Sequence, residues 1–350
     1  MKSIEIGETK IGPSEPPFII AEMSANHNGS IENAFKIIDK AKECGASAVK
    51  MQTYTPDTIT LKSDSDDFKI KGGLWDGKTL YDLYEEAHTP WHWHKELFDY
   101  AKEKQIIIFS SPFDETAIDL LEELGSPAYK IASFELVDHQ LIARAAQTGK
   151  PLIMSTGMAN HEEISEAVIC AKSNGCHQLA LLHCVSGYPA KSEEYNLITL
   201  RDLQDSFDCI VGLSDHTLNN ITAFTSIPFG ASIIEKHFTL DRKGGGPDDS
   251  FSLEPEGLVD LVQGSMSSWL SIGRVNYEPT KGEQENIKFR RSLYVTQDLK
   301  AGDEITSSVI RSIRPGYGLS PKFHTQIIGR KVKQDLKAPH PLSFDDLESK

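Results

Sequence analysis

The sequence predicts a (β/α)8 TIM barrel followed by a small β-rich domain. Apolar strand-like runs and helical patterns alternate eight times over about 255 residues, close to the ~250 residues usual for this barrel. The runs are rich in Ile, Val and Leu and lack strict alternation, which is typical of parallel strands buried on both faces. In several runs polar groups appear only at the C-terminal end, where a parallel α/β barrel builds its active site.

Each strand is predicted from one short apolar run. The runs lie at residues 17–26, 48–54, 106–113, 128–133, 151–158, 179–186, 210–217 and 231–240. Between them, apolar residues recur at i, i+3, i+4 and i+7, the period of an amphipathic helix. This spacing is carried by Ala34, Ile37, Ile38 and Ala41 and again by Ile164, Ala167, Val168 and Ala171, while Leu258, Leu261 and Val262 predict a last helix.

Two connections depart from this rhythm. The stretch from Thr55 to Trp91 is too long for a simple connection and is rich in aromatic residues, including Trp75. Long loops at a barrel mouth are usually functional, although its aromatic side chains can equally serve local packing. The Gly-rich stretch Asp241–Ser250 is expected to form a flexible loop after the eighth strand.

The domain organisation follows from a change in pattern near residue 273. We expect a catalytic barrel over 1–273, a polar linker over 274–291 and a β-rich domain over 292–350. In the last segment, Gln297–Ala301 recurs as Gln334–Ala338, which indicates a pseudo-twofold β fold unless the short match is a coincidence.

Composition excludes several classes of protein. The net charge is −15 and no Lys/Arg-rich run is present, which argues against nucleic-acid binding. No apolar run reaches the ~18 residues of a membrane-spanning helix, and the polar N-terminus argues against a signal peptide. The five cysteines form no C-x-x-C pair, so we expect reduced, buried thiols and a cytoplasmic location.

Two histidines are candidate metal ligands. His216 and His237 end the seventh and eighth predicted strands, which places both imidazoles at the mouth on neighbouring strands. Two neutral imidazoles with open positions suit a divalent metal. A purely structural, hydrogen-bonded role for each histidine is the alternative.

Lysines within apolar strands are the second signal, because a buried charge is costly unless it is matched. Lys50, Lys130 and Lys236 are such lysines. They could form internal salt bridges with Glu22, Glu135 or Glu235, bind a phosphate or carboxylate, or form a Schiff base. Hydroxyls predicted at the same level favour phosphate over a Schiff base; they belong to Ser110, Ser111, Ser133, Ser155, Thr156 and Ser214. The carboxylate of Glu22 could act as a general base on water or neutralise a lysine.

At these residues the chain resembles the sialic acid synthase family. The resemblance spans nearly the whole sequence and is carried by Ala21–Gly29, Lys50–Thr58, Tyr129–Ser133, Met154–Met158, Gly212–His216 and Glu235–Thr239, with Arg314-Pro315-Gly316 matching the family's antifreeze-like (SAF-type) domain. The resemblance implies an enzyme that condenses phosphoenolpyruvate with an amino sugar, giving a nonulosonic acid and phosphate.

The resemblance also implies roles for single residues. A divalent metal (Mn²⁺, Mg²⁺ or Co²⁺) would be held by His216 and His237, and Glu22 would stabilise developing charge or activate water. Phosphoenolpyruvate would be bound by Lys50, Ser111, Lys130, Ser133, Ser155 and Ser214, and the sugar by Gln52, Glu135, Tyr188 and Asp248. Arg314 would reach the site from the partner subunit of a domain-swapped homodimer.

Within the family, the chain is most similar to the members that form pseudaminic acid. Lys50-Met51-Gln52-Thr53-Tyr54 and the aromatic segment Leu80–Trp91 carry this similarity, which implies the substrate 2,4-diacetamido-2,4,6-trideoxy-L-altrose. Synthases of N-acetylneuraminate or legionaminate are the alternative. A Schiff-base aldolase and a carbohydrate- or ice-binding protein without catalysis are rival classes.

Overall fold

The structure is a computed structural model that describes residues 3–349. The chain divides after Gly273 into two compact units. The first unit contains the barrel and the second contains a small antiparallel sheet.

The predicted TIM barrel is confirmed. Between residues 3 and 349, eight parallel strands close in the order β10-β3-β4-β5-β6-β7-β8-β9, so strands consecutive in the chain are neighbours in the sheet. After a short antiparallel pair, β1 (Ile4–Ile6) and β2 (Thr9–Ile11), the barrel strands are β3 (Phe18–Glu22), β4 (Ala48–Thr53), β5 (Ile107–Pro112), β6 (Tyr129–Ile131), β7 (Leu152–Ser155), β8 (Leu179–Cys184), β9 (Ile210–Ser214) and β10 (Ile233–His237).

All eight barrel strands end earlier than the apolar runs suggested. The first run was expected to continue to residue 26, but β3 ends at Glu22 and Ser24 adopts a positive φ of 44°. The seventh run was expected to include His216, but β9 ends at Ser214. The chain turns here because residues after the strand ends leave the hydrogen-bonded ladder to form the mouth of the barrel.

The described residues form eleven α-helices, and those of the first unit surround the barrel. They are α1 (Ile31–Glu43), α2 (Pro56–Ile59), α3 (Leu80–Ala87), α4 (Trp91–Glu103), α5 (Glu115–Glu123), α6 (His139–Ala146), α7 (His161–Ser173), α8 (Thr199–Phe207), α9 (Ile221–Ser226), α10 (Pro255–Ile272) and, in the second unit, α11 (His324–Ile327). The periodic residues that predicted α1 and α7 are buried. Asn160 and Glu163 form a capping box that satisfies free N–H groups at the start of α7.

The interior of the barrel at the end opposite the mouth is filled with apolar side chains. Alternate strand residues such as Phe18, Ile20 and Ile153 point inward and form one cluster with Ile6 and Ile11 of the β1–β2 pair. A second cluster joins the outward-facing strand residues to the helices. The β1–β2 pair therefore seals the end of the barrel opposite the mouth.

The second unit is β-rich, as expected, and its sheet has the order β12-β11-β13. The strands are β11 (Ser292–Val295), β12 (Ile310–Ile313) and β13 (His340–Pro341). The repeated segments pair with each other: Leu299 and Leu336 exchange N–H···O bonds of 2.9 and 2.8 Å. Asp298 accepts a hydrogen bond from the Ala338 N–H, and Asp335 accepts one from the Ala301 N–H. This reciprocity supports the pseudo-twofold interpretation of the repeat.

The expectations for membrane spans, cysteines and the Gly-rich loop have different outcomes. No helix in residues 3–349 is long and apolar enough to cross a membrane. No disulfide forms in this part of the chain, but Cys44 and Cys170 are half-buried rather than buried. The loop expected to be flexible is held by the buried Asp249, which accepts hydrogen bonds from Thr239, Asn28 and the Gly246 N–H.

Candidate active site

Polar side chains occupy the upper interior of the barrel, directly above the apolar layers. Since side chains alternate along a strand, the residues that follow the inward-facing apolar positions by two or four places also point inward. These residues are Glu22, Lys50, Gln52, Ser111, Lys130, Ser155, Cys184, Ser214, Glu235 and His237. The structure thus brings together most of the site residues predicted from the sequence.

Four buried charges form the floor of the site. The Lys50 ammonium lies 2.6 Å from Glu22 Oε2 and 3.8 Å from Glu235 Oε2, and the Lys130 ammonium lies 2.8 Å from Glu235 Oε1. We call Glu22, Lys50, Lys130 and Glu235 the charge cluster. All four side chains are at most 6% exposed, so the salt bridges anticipated for Lys50 and Lys130 are present.

Burial sets the proton affinities within the charge cluster. It raises the pKa of Glu22 and lowers the pKa of Lys130, since a low dielectric disfavours both charged forms. Burial also opposes ionisation of Glu235, but the charges of Lys130 and Lys50 prevail and lower the pKa of that carboxyl. Glu235 therefore stays ionised between the two lysines, and Glu22 is the carboxylate more readily protonated.

Hydroxyl groups border the charge cluster. Ser111 accepts a hydrogen bond of 3.2 Å from Lys50, and Ser214 donates one of 3.2 Å to Glu235. Ser133, in the 3-10 helix after β6, accepts from the Gly157 N–H. Ser155 Oγ is buried and makes no hydrogen bond, and a buried polar atom without a partner is costly unless a ligand satisfies it.

Two hydroxyls were assigned wrongly to this level. Ser110 has the opposite strand parity to Ser111 and bonds to Thr53 and the Met51 carbonyl on the helix side of β5. Thr156 donates to the Leu182 carbonyl. Both residues carry a hydroxyl like the others, but their side chains do not point toward the charge cluster.

The two histidines face each other at the mouth. Their ring centroids are 5.4 Å apart, although His216 lies in the loop after β9 and only His237 ends a strand. The His216 Nδ1 atom is 2.9 Å from the Val185 carbonyl, which leaves Nε2 available. His237 Nδ1 is buried without a hydrogen-bond partner. Burial, with the nearby His216, lowers the pKa of His237 well below 6.5 and keeps it in the neutral form that binds metals.

This pair fits a divalent metal held by two protein ligands. In residues 3–349 no group of three or more His, Cys, Asp or Glu side chains is arranged to hold an ion. Water or substrate oxygens would have to complete the coordination, which is typical of catalytic rather than structural sites.

A cavity of about 330 Å³ opens above the charge cluster. Its polar lining residues include four of those predicted to contact a sugar, together with Ser24 and His237; the four are Gln52, Glu135, Tyr188 and Asp248. Gln52 donates to Glu22 and Ser24, and Ser24 donates to Asp248. We call this space the mouth cavity.

Much of the lining of the mouth cavity is aromatic or aliphatic. These lining residues are Tyr54, Ile59, Trp75, Leu83, Tyr84, Ala87, Phe113 and Phe134. Several of them belong to the long connection after β4, so this connection does line the candidate site. The Trp75 indole donates a 3.1 Å hydrogen bond to the Pro247 carbonyl, and its ring centroid is 6.0 Å from that of Tyr188. Trp75 thereby joins the long connection after β4 to the loop after β10.

One residue considered from the sequence lies outside this site. Lys236 points to the helix side of β10 and pairs with Asp215 at 2.7 Å, not with a glutamate. It is therefore not a candidate for phosphate binding or for a Schiff base in the barrel. Arg314 follows β12 in the second unit.

Sequence reasoning missed several residues of the site. Ser24, Tyr54 and Cys184 were not singled out, although Cys184 Sγ lies 3.9 Å from His216 Nδ1. Cys184 could have been found by counting alternate positions from Ala180 and Leu182. Ser24 and Tyr54 follow the strand ends. Beyond a strand end, side chains no longer alternate between two faces, so counting by two does not predict where they point.

Glu135 should make the stability depend on pH. Burial raises its pKa from the usual 4.5 to about 7, and its Oε2 atom has no hydrogen-bond partner. The native state therefore keeps a proton that the unfolded chain releases. This contribution to stability is complete below pH ~4.5 and is lost as the pH rises through 7, on the order of 2–3 kcal/mol.

Urea unfolding at pH 5 and pH 8.5 tests this prediction. Glu135→Gln should remove the loss of stability at high pH. The stability of this variant relative to wild type should therefore be higher at pH 8.5 than at pH 5. Glu123→Gln, at an exposed position, should show no such rise. An equal effect of Glu135→Gln at both pH values would contradict the assignment.

Comparison with known proteins decides the family. The NeuB family model matches residues 37–277 and the SAF domain model matches residues 290–348. The chain belongs to the NeuB family. As a NeuB protein it is a phosphoenolpyruvate-dependent nonulosonic acid synthase, so the family resemblance of the sequence is confirmed.

Individual relatives share nearly the full length of this NeuB chain. A pseudaminic acid synthase from Helicobacter pylori is 44% identical, covering 95% of this chain and 98% of its own. An N,N'-diacetyllegionaminic acid synthase from Legionella pneumophila is 34% identical, covering 97% and 96%. The crystal structure of an N-acetylneuraminic acid synthetase from Leptospira borgpetersenii, 32% identical, aligns with a TM-score of 0.72 over 82% of this chain and 95% of that one.

Proposed function

We propose that this NeuB-family enzyme is a pseudaminic acid synthase. It condenses phosphoenolpyruvate with 2,4-diacetamido-2,4,6-trideoxy-L-altrose and releases pseudaminic acid and phosphate. The observation that carries this proposal is the mouth cavity, whose lining combines polar groups with aromatic and aliphatic side chains. Such a cavity suits a 6-deoxy sugar with two acetyl methyls, a description that fits the pseudaminate precursor and the legionaminate precursor alike. The higher identity to a pseudaminate synthase than to a legionaminate synthase favours the first of these two.

Phosphoenolpyruvate would bind at the charge cluster. Lys50 and Lys130 offer two ammonium groups at 3% and 2% exposure, and Ser111, Ser133, Ser155 and Ser214 offer hydroxyls for the phosphate oxygens. Fixing carbon 3 of phosphoenolpyruvate against the sugar aldehyde supplies a large part of the rate by positioning.

The carboxylate of Glu22 would serve the second half of the reaction. Attack by carbon 3 leaves positive charge at carbon 2, to which water adds, and phosphate then leaves by C–O cleavage. Glu22 lies beside Lys50 and accepts a hydrogen bond from Gln52, at the border of the charge cluster and the mouth cavity. From there it can stabilise the cation or take a proton from the water.

A divalent cation (Mn²⁺, Mg²⁺ or Co²⁺) would be held by His216 and His237. When bound, it supplies Lewis-acid polarisation of the sugar carbonyl. The neutral state of His237 and the orientation of His216 by the Val185 carbonyl are the contributions of the protein.

The proposal extends to assembly. Residues 1–273 would form the catalytic domain, 274–291 the linker and 292–350 the SAF domain of a domain-swapped homodimer. In that arrangement Arg314 would reach the sugar in the site of the other subunit. Loss of sugar binding in Arg314→Ala, restored in mixed dimers with a barrel-inactive variant, is the expected signature.

A substrate panel tests the specificity. We expect phosphate release from phosphoenolpyruvate with the diacetamido-trideoxy-altrose and little with N-acetylmannosamine or the legionaminate precursor. Trp75→Ala should lower kcat/KM for the preferred sugar by about 10- to 100-fold, the value of a lost aromatic contact, with the KM of phosphoenolpyruvate unchanged.

Trp269→Ala is the matched control. Trp269 is also half-buried and also donates its indole N–H to a proline carbonyl, that of Pro13, but it lies on α10. This variant should keep the sugar preference. Faster phosphate release with N-acetylmannosamine or the legionaminate precursor in the wild type would reject the pseudaminate assignment.

A further inference from the structure

We propose that Lys236 is a positioning residue for the two imidazoles of the mouth. Its ammonium group, on the outer face of the barrel, fixes the loop that carries His216 at the spacing from His237 that a shared divalent cation requires. This inference rests on the metal site proposed above and assigns no contact with substrate to Lys236.

The direction of Lys236 separates it from the charge cluster. Ile234 belongs to the cluster packed between barrel and helices, and Lys236 follows it by two residues. Its neighbours Glu235 and His237 point inward. Lys236 is 3% exposed, so its charge needs partners on the outer face.

Those partners all lie in the loop after β9. The Lys236 Nζ atom is 2.7 Å from Asp215 Oδ2, 2.5 Å from the Thr217 carbonyl and 2.9 Å from the Asn219 carbonyl. Asp215 Oδ1 also accepts the Thr217 N–H at 2.9 Å. Lys236 therefore binds the chain on both sides of His216.

The hydrogen bonds from Lys236 hold a loop that lies beyond the sheet, because β9 ends at Ser214. Only the Asp215 N–H, donating to the Glu235 carbonyl at 2.9 Å, continues the pairing with β10 among the bonds of the described chain. His216 itself is oriented by the Tyr195 hydroxyl and the Val185 carbonyl, both outside β9 and β10. Lys236 is thus the side chain that ties the His216 loop directly to the strand ending in His237.

Stability alone is a poor explanation for this arrangement. A buried ion pair is often replaced by apolar residues of similar volume without loss of stability, because its desolvation cost is high. An ammonium group that binds two main-chain carbonyls and a carboxylate instead fixes a loop geometry. The separation of the rings, 5.4 Å between centroids, is the quantity that this geometry sets.

The test measures metal binding directly. Mn²⁺ affinity is followed without substrates by electron paramagnetic resonance of free Mn²⁺, and the absorption spectrum of bound Co²⁺ reports the ligand geometry. Lys236→Met should weaken Mn²⁺ binding by about 10- to 100-fold, as loss of an outer-shell partner does, and should change the Co²⁺ spectrum. Ile6→Ala, in the apolar cluster at the sealed end of the barrel, is the destabilised control and should change neither.

A second variant keeps the test possible if Lys236→Met does not fold. The double variant Lys236→Met/Asp215→Leu removes both charges, should fold, and should still bind Mn²⁺ weakly. Wild-type affinity and an unchanged Co²⁺ spectrum in either folded variant would overturn the positioning role. His216→Ala separates this from a failure of the metal site: if it too binds Mn²⁺ like wild type, the metal assignment itself is wrong.

Discussion

Replacing His216 with alanine is expected to abolish turnover while leaving the barrel folded. The ring offers one of the two imidazoles proposed to hold the metal, and loss of the metal would remove several kcal/mol of transition-state stabilisation, or at least about 10³-fold in rate. The backbone of His216 is held independently of its ring, since its N–H donates to Tyr195 and its carbonyl accepts from the Ala190 N–H. Phosphate release, Mn²⁺ affinity and thermal unfolding measure the three effects.

His94→Ala is the control for loss of a buried histidine. His94 is fully buried and hydrogen-bonded to Thr53 on the helix side of the barrel. Its replacement should lower stability and leave Mn²⁺ affinity unchanged. If excess Mn²⁺ restored the full rate to His216→Ala, the assignment of His216 as a ligand would be untenable.

Lys130→Met is expected to damage both stability and activity. It leaves Glu235 with Lys50 as its lysine partner in the charge cluster, at 3.8 Å. Removing one member of a buried ion pair typically costs about 3–5 kcal/mol because the remaining charge is uncompensated. Activity should fall as well, since Lys130 is proposed to bind the phosphate. Urea unfolding and the KM of phosphoenolpyruvate measure the two losses.

The double variant Lys130→Met/Glu235→Gln separates them. Neutralising Glu235 removes the uncompensated charge, so most of the lost stability should return. Phosphoenolpyruvate binding should stay weak because the ammonium group is still missing. Recovery of activity together with stability would show that Lys130 acts only as a structural partner of Glu235.

The sequence predicted the barrel because each of its strands carries an apolar run that is buried on both faces. It also predicted that the candidate site lies toward the C-terminal ends of the strands, where polar groups such as Glu22 follow the apolar runs. The side on which a residue lies was predicted less well. Lys236 and Ser110 were grouped with inward-facing neighbours on chemical type, although counting alternate positions from Ile233 and Phe109 places both outside.

Other parts of the site depend on contacts between distant segments. The aromatic lining of the mouth cavity requires the connection after β4 to fold over the barrel, and the hydrogen bond from Trp75 to Pro247 spans 172 residues. Periodicity describes residues within one element and carries no information on such contacts. The repeat in the second unit was an exception. Its two segments pair with each other in the structure, and their similarity can be seen directly in the amino-acid sequence.

The sealed lower end of the barrel has a kinetic consequence. Ile6 and Ile11 close that end, so both reactants must enter through the mouth. The phosphate position proposed beside Lys130 would lie beneath the space lined by Trp75 and Asp248. Because a sugar bound in that space would obstruct the passage, the proposed sites favour phosphoenolpyruvate arriving first and phosphate leaving after the nine-carbon product.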